Sequence, residues 1–118
     1  MADDLLSELA ATIRARRGAM AEASYTRQLL DGGVERCAKK FGEEAVETVI
    51  AALQQSDEAL KGEAADLLFH LLVILEVRGI PLKDVLDVLR VRQGTSGHAE
   101  KAARVKSPGE VVIRPGKQ

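Results

Sequence analysis

With 118 residues the chain has room for one domain, and a hydrophobic content of 46% is enough for a real core. Its 17 basic and 18 acidic residues leave a net charge of -1, which excludes the basic excess expected of a dedicated nucleic-acid-binding protein. The longest wholly apolar stretch, Leu71 to Leu75, is far too short to span a bilayer.

The composition points to helices. Apolar residues are mostly Leu, Ala and Val, and the aromatics are Tyr25, Phe41 and Phe69. Such a mixture, with many Glu, Lys and Arg, favours helix over sheet. The first twenty residues hold no signal-peptide core, and the single cysteine, Cys37, makes no internal disulfide. A cytoplasmic protein with no membrane attachment is the expectation.

Taken in order, the first helix is expected over residues 4–17. Leu5, Leu6, Leu9, Ala10 and Ile13 recur at helical spacing, acids open the segment and Arg14, Arg16 and Arg17 close it. Gly18 breaks the pattern. Ser24 suits the N-cap of a short helix over 25–30, which stops at Asp31-Gly32-Gly33. A long helix follows over 34–54, and Ser56 or Asp57 caps the next, which runs to about Arg78. Gly79-Ile80-Pro81 ends it, and Leu82 to Arg92 form a further helix carrying Val85, Leu86 and Leu89. A loop at 94–97, a helical turn at 100–105 and a poorly ordered tail from Ser107 are expected beyond. The predicted architecture is an all-α bundle of about four main helices in a domain spanning 1–106, with 107–118 as a flexible tail. A bundle this small gains from burial through self-association.

Two helices carry the chemistry. One contains Glu43-Glu44-Ala45-Val46-Glu47, the next Glu63-Ala64-Ala65-Asp66. At about 100° per residue, positions three apart share a face, so each helix offers two carboxylates one turn apart. Antiparallel packing would gather four. Such pairs are common on solvated helix faces beside Lys or Arg. Here, however, the second pair leads into residues 67–75, apolar almost all round and interrupted only by His70. Carboxylates crowded in a partly buried site repel unless a cation neutralises them, and all-oxygen ligation suits Mg²⁺, Mn²⁺ or Ca²⁺. Both readings, solvated face and metal site, stand on spacing alone. His70 reads as a hydrogen-bonded core histidine, and Cys37 as a small packed side chain.

The run Lys40-Phe41-Gly42-Glu43-Glu44-Ala45-Val46-Glu47, followed sixteen residues after Glu47 by Glu63-Ala64-Ala65-Asp66, resembles the all-α nucleotide pyrophosphohydrolases of the MazG-like superfamily. These carry EExxE and ExxD on adjacent helices. Flanking segments narrow the resemblance to the phosphoribosyl-ATP pyrophosphatases. They are Ser24-Tyr25-Thr26, Leu29-Leu30, Lys39-Lys40, Ala64-Ala65-Asp66-Leu67-Leu68-Phe69-His70, Arg92, Ser96-Gly97, Glu100-Lys101-Ala102 and Arg104. It covers roughly residues 5 to 105. Phe41 stands where a small aliphatic residue is commoner and Phe69 where tyrosine is frequent; the tail after Lys106 has no counterpart. The resemblance is to the single-function form, without the domain for the next pathway step that is sometimes fused upstream, and that form is the expectation.

The resemblance implies Mg²⁺-dependent hydrolysis of phosphoribosyl-ATP to phosphoribosyl-AMP and pyrophosphate, in histidine biosynthesis, by a homodimer. It implies Glu44, Glu47, Glu63 and Asp66 as metal ligands, with Mn²⁺ as an alternative ion. Glu43 would orient or deprotonate water, or help hold a second metal. Lys40, Lys39, Arg27 and Arg36 are the candidate phosphate contacts, joined by Arg92, Lys101 and Arg104 from the C-terminal segment, with backbone contacts at Ser96 and Gly97. Two other functions remain open on sequence. One is a related enzyme that removes unwanted nucleoside triphosphates or deoxynucleotides; the other is a non-catalytic helical interaction module.

Overall fold

Caps and turns set where each helix begins and ends. The computed structural model describes residues 2–20 and 24–94. The expected loop at 94–97 beyond its first residue, the turn at 100–105 and the tail lie outside the described residues, as do Ser96, Gly97, Lys101 and Arg104. Helix α1 spans Ala2–Ala15 and passes into a 3-10 turn, Arg16–Gly18. Helix α2, Tyr25–Asp31, is capped by Ser24, whose side chain accepts a hydrogen bond from Arg27 N at 3.1 Å. Gly33, with φ +78°, opens α3 (Gly33–Gln54), so the chain turns between α2 and α3 almost without a loop.

At the start of α4, Asp57–Val77, the cap is Ser56 rather than Asp57: its Oγ accepts from Ala59 N at 3.1 Å. The helix ends in a glycine turn. Gly79 adopts φ +72°, Ile80 N donates to Leu75 O at 2.8 Å, and Pro81 prevents continuation. Helix α5 spans Leu82–Gln93. The result is five helices and no strand among the described residues, with the short α2 as a helix in its own right. No described helix is long and apolar enough to cross a membrane.

Contacts divide the chain into two units, Met1–Leu82 and Lys83–Gln118. In the first, α3 and α4 form an antiparallel hairpin, α1 lies on α4, and α2 touches both α3 and α4. Its core joins Ile13, Leu29, Leu30, Cys37, Leu72 and Val73, surrounded by Leu6, Leu9, Phe69, Ile74 and Val77. The core therefore gathers where α1 and α2 cover the start of α3 and the end of α4. In the second unit, α5 is laced by Lys83–Asp87 and Arg90–Asp87 ion pairs.

The inward stripe of α3 is Cys37, Glu44 and Ala51, seven residues apart and hence nearly aligned along the helix. The apolar sector beside it is left uncovered: Val34, Val49 and Leu53 are exposed, Leu53 at 77%, together with Val46 and Ile50. On α4, Leu68 and Leu71 are exposed as well. The hairpin thus turns an acid inward and several aliphatic side chains outward.

Candidate metal centre

Glu44 is buried because it occupies that inward stripe, with 7% exposure. Across the hairpin, α4 presents Glu63, half-buried, and Asp66, one turn later and exposed. One carboxylate oxygen from each of Glu44, Glu63 and Asp66 lies within 4.8 Å of the others. Glu44 Oε1 and Glu63 Oε1 are both buried without a hydrogen-bond partner. Buried acceptors left unpartnered are costly, and costlier when charged.

The fourth predicted ligand, Glu47, is exposed on α3 and close enough to the Glu63 carboxyl to influence its ionisation. The Glu63 pKa lies above the usual glutamate value, first because burial disfavours its charge. The proximity of Glu47 and the charges of Glu47, Asp66 and Glu44 add to the effect. Glu43 stands to one side, 3.5 Å from Lys40 Nζ, which also lies 3.9 Å from Glu44 Oε2.

The donor set fits a hard divalent cation. All its groups are carboxylate oxygens, two are unpartnered, and the Mg–O distance of about 2.1 Å puts opposite ligands roughly 4 Å apart. Small side-chain rotations would close the present spacing. Zinc, which favours nitrogen and sulfur, is poorly matched.

Two features behind the cluster escape a reading of spacing alone. Thr48 Oγ1 lies 2.8 Å from Glu44 O and 3.2 Å from Glu63 O, so one hydroxyl bonds back along α3 and across to α4 beside the acids. The second is His70, buried with both ring nitrogens engaged. Its Nδ1 is 2.8 Å from Asp66 O, and Tyr25 Oη is 3.2 Å from its Nε2. A carbonyl only accepts, so Nδ1 carries the proton, and in the neutral imidazole Nε2 accepts from the tyrosine hydroxyl. The sequence signal for Thr48 is its place one turn after Glu44; for Tyr25, its place directly after a helix cap in the Ser24-Tyr25-Thr26 segment.

Beside the cluster is a cleft of about 610 Å³ lined by Tyr25, Leu29, Gly32, Glu35, Arg36, Lys39, Lys40 and Glu43. Three of the predicted phosphate contacts, Arg36, Lys39 and Lys40, share it, and Lys40 joins it to the acids. The Lys40 pKa is held above the ordinary lysine value, first by its electrostatic interaction with Tyr25, then by the Glu43 hydrogen bond. Lys40 is therefore a permanent cation at neutral pH.

Arg27 has different surroundings. Its Nε donates to Asp31 at 2.9 Å, and its Nη1 donates to Arg17 O and Ala19 O at 2.9 and 2.6 Å. The guanidinium ties the 3-10 turn to α2 and does not line the cleft. An acid four residues later and a nearby turn with open carbonyls explain this placement. Arg92 lies near the end of α5, in the second unit.

The class defined is an all-α protein whose helical hairpin gathers carboxylates that could hold a metal ion, beside a cleft lined by Arg36, Lys39 and Lys40. Residues 6–93 match the PRA-PH family, phosphoribosyl-ATP pyrophosphohydrolase, and the chain belongs to that family. It is 53% identical over 100 residues to the phosphoribosyl-ATP pyrophosphatase of Cereibacter sphaeroides (strain ATCC 17029 / ATH 2.4.9), covering 85% of this chain and 97% of the relative. Identity reaches 57% over 99 residues with phosphoribosyl-ATP pyrophosphatase 1 of Bradyrhizobium diazoefficiens, covering 84% of this chain and 93% of that one. With the Roseobacter denitrificans phosphoribosyl-ATP pyrophosphatase it is 54% over 103 residues, covering 87% and 98%.

Proposed function

We infer that this chain carries out the reaction for which its family is named, hydrolysis of phosphoribosyl-ATP with release of pyrophosphate, in histidine biosynthesis. Family membership and nearly full-length similarity to three pyrophosphatases support the substrate. The bond cleaved is the α–β phosphoanhydride, and phosphoribosyl-AMP is the second product.

The observation that carries the metal assignment is the pair of buried, unpartnered oxygens on Glu44 and Glu63 within reach of Asp66. In this reading Glu44, Glu63 and Asp66, joined by Glu47, hold Mg²⁺ or Mn²⁺. A divalent ion there would neutralise phosphate oxygens and acidify a coordinated water. Lys40, Lys39 and Arg36 take up the remaining phosphate charge in the cleft. Glu43 lies on the cleft side of the acids beside Lys40, which suits it to orient the attacking water and accept its proton. Arg92, Ser96, Gly97, Lys101 and Arg104 are further substrate contacts in this reading.

The uncovered aliphatic face of Val46, Val49, Ile50, Leu53, Leu68 and Leu71 supports a homodimer. Sedimentation is expected to show a dimer at micromolar concentration; a stable monomer would contradict it. The test of function is pyrophosphate release with Mg²⁺, comparing phosphoribosyl-ATP with ATP and deoxynucleoside triphosphates. Turnover of phosphoribosyl-ATP well above the others is expected. Preference for a deoxynucleotide would overturn the substrate, and no metal-dependent turnover at all would overturn the reaction.

A further inference from the structure

We propose that Tyr25 and His70 are a positioning pair that sets the phosphate cleft in register with the carboxylate cluster. This rests on the hydrolase reading above, because it concerns how that site is assembled.

The cleft and the cluster share α3, which carries Glu44 as well as the cleft cations, but each also draws on a helix of its own. Glu63 and Asp66 come from α4, Lys40, Lys39 and Arg36 from α3, while α2 contributes Tyr25 and Leu29 to the cleft wall. A substrate whose phosphates lie among the cations must present one anhydride bond to the acids. The placement of α2 over α4 therefore adds to what α3 alone fixes of the alignment, and a misplacement of about 1 Å at a reacting centre costs on the order of a hundredfold in rate.

Tyr25 bridges the two. It is 48% exposed and lines the cleft, yet its hydroxyl reaches inward and donates to His70 Nε2 at 3.2 Å. His70 is 5% exposed, and its Nδ1 donates to the backbone carbonyl of Asp66 at 2.8 Å. The chain of hydrogen bonds thus runs from the cleft wall to the backbone of a cluster residue. Phe69 steadies it, with its ring 6.5 Å from Tyr25 and nearly parallel, and 5.0 Å from His70 edge-on. An aliphatic side chain would fill this buried position on α4 without needing a polar partner. The imidazole adds direction: each nitrogen has one partner, and both partners belong to the site.

Steady-state kinetics on phosphoribosyl-ATP, paired with calorimetric Mn²⁺ titration of the substrate-free protein, test the pair. Tyr25→Phe keeps the ring and removes the hydroxyl. His70→Asn keeps a donor toward Asp66 and loses the reach to Tyr25, whereas His70→Gln keeps an acceptor toward Tyr25. The expected result is a kcat lowered about tenfold in Tyr25→Phe and His70→Asn, the scale of one lost hydrogen bond. KM and Mn²⁺ affinity stay within about threefold, and His70→Gln recovers most of the rate. Unchanged kcat in Tyr25→Phe, with a melting temperature lowered or not, overturns the pair and leaves the hydrolase reading intact. So does weakened Mn²⁺ binding, which would make the two residues supports of the metal site alone. Absence of turnover by the unaltered chain would overturn both proposals.

Discussion

Helix α4 carries two shielded glutamates that meet opposite circumstances. Near its end, Glu76 accepts hydrogen bonds from Arg14, at 3.3 Å, and from Arg17, whose Nη2 also reaches the Glu76 carbonyl at 2.8 Å. Burial pushes the Glu76 pKa up, but the two arginines outweigh it and the carboxyl lies below its ordinary value. Three and a half turns earlier, Glu63 faces Glu47, Asp66 and Glu44, lies above its ordinary value, and has a buried oxygen without a partner. One carboxylate fastens α1 to α4; the other waits for a charge that no described residue supplies. On one helix, satisfied and unsatisfied acids separate architecture from chemistry.

The sharpest way to break this contrast is to remove a charge from the cluster. Asp66→Asn is expected to lower turnover by on the order of 10³ or more, the scale of losing a charge-stabilising group at a reacting centre. The circular dichroism spectrum and the metal-free melting temperature should stay at or above those of the unaltered protein. Full activity in this variant would remove Asp66 from the ligand set.

A second test works through pH. The Glu63 folded pKa is raised, so its favourable contribution is present below the ordinary glutamate value and lost as pH rises through the folded value. Glu63→Gln should therefore be more stable than the parent in chelator at neutral pH, and that advantage should shrink on acidification through the carboxylate range. Chemical denaturation at several pH values reads this directly; a variant less stable than the parent at neutral pH would contradict it.

The smallest effect belongs to Glu76. Its folded pKa is lowered, so its contribution is present above the ordinary value and lost as pH falls through the folded one. Both arginines are well exposed, with side-chain exposures of 65% and 49%, and solvent screening keeps the figure modest. Glu76→Gln should cost about 1 kcal/mol at neutral pH, with the gap closing on acidification and turnover unaltered. Loss of activity in that variant would mean that the end of α4 takes part in the reaction.

Much of this was legible before any coordinates. Ser24, Ser56, Gly33 and Gly79-Ile80-Pro81 act within a few residues of themselves, so the helix ends follow from local chemistry. Glu44, Glu63 and Asp66 were legible because i, i+3 spacing and a short connection bring them together whatever the remaining helices do. Partnership across the fold was not. The engagement of Arg27 by Arg17 and Ala19 depends on how the 3-10 turn meets α2. The Tyr25–His70 contact joins residues 45 positions apart, and no periodicity encodes it. Nor did the helix pattern reveal that the inward stripe of α3 runs through Glu44 while Val49 and Leu53 face outward; packing against α4, and against α2 near its start, decides that.

Glu44 has a consequence for how such a chain evolves. Between Cys37 and Ala51 it occupies the one place where an aliphatic side chain would complete a continuous apolar seam along the hairpin. The most durable version of this helix pair is therefore one that has given up its acid, and with it the chemistry proposed for the site. Selection for robustness alone would favour a leucine there; only selection for activity holds the glutamate in place.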